Sequence, residues 1–152
     1  MTNIKITEHP EQMTAVVRER VPMAELTGFF SRAFEQTLRV LREQGVHAVG
    51  APFGKYYGQP DTTVDVEAGF PVSETIAPVG EVVPGVLPGG SMVETTYVGP
   101  YDTMDSAYSA LERYFAENGL VQGDVMWESY LTDPEEEPDP AKWETRISWP
   151  VA

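Results

Sequence analysis

Between Val125 and Leu131 the chain reads Val-Met-Trp-Glu-Ser-Tyr-Leu. In an extended strand alternate residues point to opposite sides. Met126, Glu128 and Tyr130 then share one face, and Trp127, Ser129 and Leu131 share the other. A carboxylate among aromatic rings is costly to keep charged without a partner, and loss of water raises its pKa. An organic cation removes that cost, and each cation–π contact with Tyr or Trp adds ~0.5–2 kcal/mol. The same residue types suit acid–base chemistry, with Glu128 activating a water and the Tyr130 hydroxyl donating a proton. The plain alternative for Glu128 is an exposed strand residue or one half of a salt bridge.

Other aromatic residues divide between wall and core. Tyr97 and Tyr101 flank Val98-Gly99-Pro100, where the mouth of a pocket would lie. Tyr108 falls on an apolar helix stripe and reads as core, while Trp127 and Trp149 suit either role. Most other chemistry is excluded. With no cysteine there is no disulfide framework, thiol nucleophile or cysteine-ligated metal. His9 and His47 are the only histidines and are not at ligand spacing, so no metal site is expected. No P-loop, dinucleotide fingerprint or nucleophile elbow is present, and no cofactor is expected. Asp65 and Glu67 alternate on one strand face and read as a solvated edge.

Ten Lys and Arg against 24 Asp and Glu give a net charge of −14, with the basic residues scattered. A phosphate-binding surface needs them clustered, so direct nucleic-acid binding is not expected. No run approaches the ~20 apolar residues of a membrane helix, and Met1 to Glu11 lacks the apolar core of a secretory signal. The expectation is a cytoplasmic protein with no membrane association. The 152 residues, 41 % hydrophobic, suffice for one domain with a real core.

Two elements must position these residues from the helical side. Leu26, Phe29, Phe30, Ala33, Phe34, Leu38 and Leu41 recur at three- and four-residue steps, with Pro22 suited to the first turn and Gly45 to the stop. Met104, Ala107, Tyr108, Leu111 and Phe115 repeat the pattern, with Asp102 expected as N-cap and Asn118-Gly119 as the end. Strands are expected at Ile4–Ile6, Met13–Arg20, Ala48–Tyr57, Thr63–Phe70, Glu81–Val86, Ser91–Val98, Val125–Leu131 and Trp143–Trp149. The acidic run Asp133 to Pro140 reads as a solvated hairpin loop.

The order strand, helix, strand, strand occurs twice. Pro22 lines up with Pro100, 78 residues on; Gly45 with Gly119 and Tyr56 with Tyr130, each 74 on; and Phe70-Pro71-Val72 with Trp149-Pro150-Val151, 79 on. Gly54 then stands where Glu128 stands in the second copy. The expected fold is α+β: tandem strand-helix-strand-strand units with pseudo-twofold symmetry. They form an eight-stranded, mostly antiparallel sheet with two helices on one face and a ligand cleft at the junction. The repeats are placed at about 13–72 and 91–151, joined by a connector at 73–90. Ligand-binding residues are expected to be Glu128, Tyr56, Tyr130, Trp127, Tyr97, Tyr101 and Met126. The implied partner is an aromatic or cationic small molecule.

Six short segments carry a resemblance. They are Gly50–Tyr57, Asp65–Val72, Leu87–Gly90, Val98–Asp102, Trp127–Pro134 and the closing Trp149-Pro150-Val151. In this order and spacing the chain resembles the GyrI-like small-molecule-binding family, also called the bacterial transcription-activator effector-binding domain. The resemblance implies that a glutamate at the position of Glu128 faces aromatic rings and meets flat, lipophilic, cationic ligands. It also implies a stand-alone member, since no DNA-binding module precedes the first repeat. Relatives of that kind suggest three functions. One is capture of toxic aromatic compounds. Another is hydrolysis of cyclopropane-bearing alkylators, with Glu128 and Tyr130 as the catalytic pair. The third is interaction with DNA gyrase.

Overall fold

The computed structural model describes residues 3–152. Its elements run β1 (Lys5–His9), β2 (Gln12–Pro22), α1 (Leu26–Gln44), β3 (Phe53–Tyr57), β4 (Thr63–Pro71), β5 (Val83–Leu87), β6 (Gly90–Val98), α2 (Asp105–Glu117), β7 (Val125–Tyr130) and β8 (Glu144–Pro150). Eight strands and two helices make an α+β fold, and every described strand pairing is antiparallel. The chain divides into two compact units. One is residues 10–89, and the other joins residues up to His9 to residues 90–152.

Within each unit the four strands follow the same order. It is β3-β4-β2-β5 in the first and β7-β8-β6-β1 in the second. The repeat therefore holds at the level of topology, with one feature that alternation of residues did not reveal. β1 precedes β2 in sequence but pairs with β6, Ile6 opposite Val93. β5 precedes β6 but pairs with β2, Thr14 opposite Gly85. The eight strands belong to one sheet, and the last strand in each unit's run of four is supplied by the stretch preceding the other repeat.

In the 10–89 unit, α1 buries Phe29, Ala33, Thr37, Val40 and Leu41. They pack against Ala15, Val17 and Val21 of β2 and Val64, Val66, Ala68 and Phe70 of β4. The Thr37 hydroxyl, fully buried, donates back to the Ala33 carbonyl at 2.7 Å, as a mid-helix threonine must when no water reaches it. Gly45 takes the left-handed conformation at φ 67° and ends the helix. In the other unit α2 buries Ala107, Leu111 and Phe115, and the buried strand residues include Val93 and Ile147.

Two expectations need correction. Asp102 does not cap α2. The chain leaves Pro100 in a 3-10 turn over Tyr101–Thr103, and α2 starts at Asp105 with no side-chain cap. The Thr103 hydroxyl and the Tyr97 hydroxyl both donate to the Pro100 carbonyl, which fixes that turn instead. Nor are Asp65 and Glu67 a solvated pair. Asp65 receives two bonds from Arg18, at 3.0 and 2.9 Å. Glu67 is 6 % exposed and accepts the Tyr57 hydroxyl at 3.0 Å. Lys55, 5 % exposed, lies near Glu67, and burial pulls its pKa below the ordinary lysine range against the opposing pull of the Glu67 charge. Its ammonium donates to the Val86 carbonyl at 3.0 Å. A contact from β3 to β5, the two ends of the run β3-β4-β2-β5, requires those four strands to curl strongly around their polar face.

A carboxylate held by two tyrosines

β7 sets the site through register. Glu128 lies opposite Ile147 and Tyr130 opposite Thr145, while Trp127 lies opposite Ser148 and Ser129 opposite Arg146. Glu128 and Tyr130 point to the α2 side. There the Tyr108 hydroxyl donates to Glu128 Oε2, and the Tyr130 hydroxyl donates to Oε1 at 2.8 Å. Burial pushes the Glu128 carboxyl above its ordinary range, and the two phenol hydrogen bonds pull the other way without cancelling the shift. Among the described residues no Lys, Arg or His forms an ion pair with it. Two hydroxyl dipoles face the carboxyl, and no counter-ion does so among the described residues.

Aromatic rings extend from this carboxylate along two lines. Tyr101 meets Tyr130 edge-on at 5.8 Å and Trp143 at 5.0 Å. Its hydroxyl is raised in pKa by burial first and then by the charges of Glu128 and Asp133. Tyr108 meets Trp149 edge-on at 6.4 Å, and Trp149 meets Phe115 at 6.2 Å. Met126 is buried beside the pair, its sulfur 4.0 Å from the Tyr108 hydroxyl. The Trp143 indole donates to the Glu137 carbonyl at 2.8 Å, pinning the acidic loop next to Tyr101.

Of the residues expected at the site, the structure gathers Glu128, Tyr130, Met126 and Tyr101. Tyr97 holds the turn that carries Tyr101, its hydroxyl bonded to Pro100 and Thr103. Trp127 is buried and projects from the opposite face of β7. Tyr56 lies in the 10–89 unit, packed on the core there. Sequence reasoning missed Tyr108, assigned to the core by its place on the helix stripe. The available signal was its hydroxyl, since a buried tyrosine needs a partner for that group. Both tyrosine donors end on one carboxylate. This geometry stabilises a negative charge. No group of three or more His, Asp or Glu side chains among the described residues is placed to hold a metal.

The family of GyrI-like small molecule binding domains matches residues 2–152. The chain belongs to that family. A GyrI-like fold is also what the solved structures show. The crystal structure of the EcmrR C-terminal domain superposes with a TM-score of 0.87 at 23 % identity, covering 100 % of this chain and 98 % of that one. In the cryo-EM structure of the EcmrR–DNA complex the TM-score is 0.86 at 24 % identity, covering 99 % of this chain. This GyrI-like chain spans 57 % of the EcmrR chain in that complex. SAV2435, solved bound to tetraphenylphosphonium, superposes with a TM-score of 0.71 at 12 % identity, covering 99 % of this chain and 94 % of that one. No curated protein sequence matches the chain.

Proposed function

We propose that this GyrI-like domain captures flat, lipophilic, cationic aromatic compounds, with Glu128 as the charge partner and Tyr130, Tyr101 and Met126 in contact with the ligand. One observation carries the reading. Glu128 is a carboxylate enclosed by aromatic side chains, raised in pKa by burial, and without a basic partner among the described residues. A cation with a lipophilic body supplies the missing charge and covers the rings at the same time. The neighbour SAV2435 was solved with tetraphenylphosphonium, a lipophilic aromatic cation that is tetrahedral rather than flat. The excess of acidic residues supports uptake of cations over nucleic acid.

Fluorescence titration with a cationic rhodamine and a neutral dye of the same shape tests the reading. Glu128→Gln keeps the volume and removes the charge. The cationic dye should bind at least ~10-fold more weakly, about 1.4 kcal/mol, and the neutral dye should change less. An unchanged ratio of cation to neutral affinity would remove Glu128 from the site.

A further inference from the structure

The two end strands of the sheet, β1 and β5, treat their free edges differently. In an antiparallel ladder the N–H and C=O of one residue point to the same neighbour, and those of the next residue point the other way. The Met13 carbonyl accepts from the Val72 N–H at 3.0 Å, so Met13 is turned toward β4. Val86 and Pro84, opposite Met13 and Ala15, therefore turn their main-chain groups away from β2, to the open side. That side is guarded. Pro84 has no N–H to offer, and the Lys55 ammonium donates to the Val86 carbonyl at 3.0 Å. Proline and lysine are the residues that natural sheets use to close an edge.

β1 is left open. The Ser91 carbonyl accepts from the Val151 N–H at 3.0 Å, which turns Ser91 toward β8. Glu8 and Ile6, opposite Ser91 and Val93, thus present N–H and C=O to the free side. Among the described residues no other backbone hydrogen bond reaches them. The Glu8 carboxylate does not guard this edge, because it is turned back to accept the Ser91 hydroxyl at 2.6 Å. Ile6, the apolar side chain of the strand, is 50 % exposed here.

We infer that β1 pairs antiparallel with β1 of a second copy of this chain, with Ile6 opposite Ile6. The occupant and the register follow from charge. β1 carries one Lys and one Glu, so it is locally balanced on a chain of net charge −14, where two copies otherwise repel. A register centred on Glu8 sets two glutamates face to face, and one centred on Thr7 sets Lys5 against His9. Centred on Ile6, Lys5 meets Thr7, Glu8 meets Ile4, and no like charges are opposed. The two isoleucines then cover each other. With β5 closed, this pairing ends at a twofold dimer and does not propagate. The polar strand has no such affinity before β6 holds it extended, since the pairing groups are backbone.

Sedimentation equilibrium of the full chain over a concentration series up to millimolar should show monomer and dimer in exchange. Ile6→Pro removes an N–H that the monomer does not use, so its circular dichroism should match the wild type while the dimer is lost. Ile6→Cys gives this cysteine-free chain one thiol. Directly opposed Cα atoms stand about 5.5 Å apart, within the roughly 4.4–6.8 Å that a disulfide spans. Mild oxidation should therefore link Ile6→Cys chains in pairs and leave Glu8→Cys chains single. A chain that stays monomeric across the series overturns the inference. So does a dimer that a folded Ile6→Pro leaves equally tight, or one that cross-links through Glu8→Cys in place of Ile6→Cys.

Discussion

Tyr108 on α2 and Glu128 on β7 stand twenty positions apart in sequence and share one hydrogen bond, so the helix holds the strand's charge in place. Tyr130, two residues from Glu128, occupies the other oxygen. Both hydroxyls favour the ionised carboxylate. Tyr108→Phe should therefore raise the Glu128 pKa further and weaken a cationic dye ~2- to 10-fold, the ~0.5–1.5 kcal/mol of one hydrogen bond. The loss should grow as pH falls toward the raised pKa of the carboxyl, and the neutral dye should barely respond. Dye titrations across a pH series check this.

The pH dependence of binding has a definite sign. Glu128 ionises above the ordinary value of 4.5 because burial disfavours its charge. A cation prefers the ionised form, so affinity should climb as pH rises through that raised pKa and level off above it. The Glu128→Gln protein should show a flat profile over the same window. A wild-type profile equally flat down to pH 4.5 would contradict the raised pKa.

Without ligand, the same carboxylate lowers stability. A group whose folded pKa exceeds its unfolded one holds its proton more tightly in the folded protein. The cost of ionisation therefore appears as pH rises past the unfolded value and is complete above the folded one. Ligand-free Glu128→Gln should melt higher than the wild type at pH 7, by ~2–4 °C for each 1 kcal/mol relieved. The gap should close near pH 4. Calorimetry at the two pH values reads this directly.

Glu94 behaves in the opposite way. It is 5 % exposed and accepts from Thr7 at 2.7 Å, His9 at 2.9 Å and Ser148 at 2.6 Å. Burial alone would raise its pKa, but the hydrogen bonds outweigh it and the net shift is downward from 4.5. Its contribution is present above the unfolded pKa and is lost as pH falls through the folded one. Acid unfolding should begin at higher pH in Glu94→Ala, where the latch on β1 is gone. Amide exchange of residues 5–9 should accelerate first in that variant.

Gly69 is expected to be irreplaceable. A Cβ there would fall inside the Ala15 carbonyl on the neighbouring strand. Overpacking against backbone typically costs ~1–3 kcal/mol or more. Gly69→Ala should lose at least ~3 kcal/mol in a urea titration, the upper end of that range.

The elements were legible because their periods are clean. The stripe from Leu26 to Leu41 with Gly45 behind it marks α1, and alternation from Val125 onward places Glu128 and Tyr130 on one face. What sequence hid were facts of pairing. Alternation tells which side a strand residue faces and says nothing about which strand lies beside it, so the placement of β1 on β6 was invisible. For the same reason Glu67 read as solvated, because a curl that folds β3 toward β5 leaves no local mark. Tyr108 was masked by its own amphipathic character: the ring satisfies the helix stripe, and the hydroxyl finds its acceptor only in three dimensions.

The position of β1 also bears on how the chain is made. Ile6 emerges from the ribosome 87 residues before Val93, its partner. At ~5–20 residues per second, that is roughly 4–17 s during which β1 has no strand to join. A hydrophobic strand left open so long would seek other chains. Lys5-Ile6-Thr7-Glu8-His9 carries charge or a polar group at every position but one, and Ile6 stays 50 % exposed even when folded. The strand is as polar as one that must wait in water for its sheet to be synthesised.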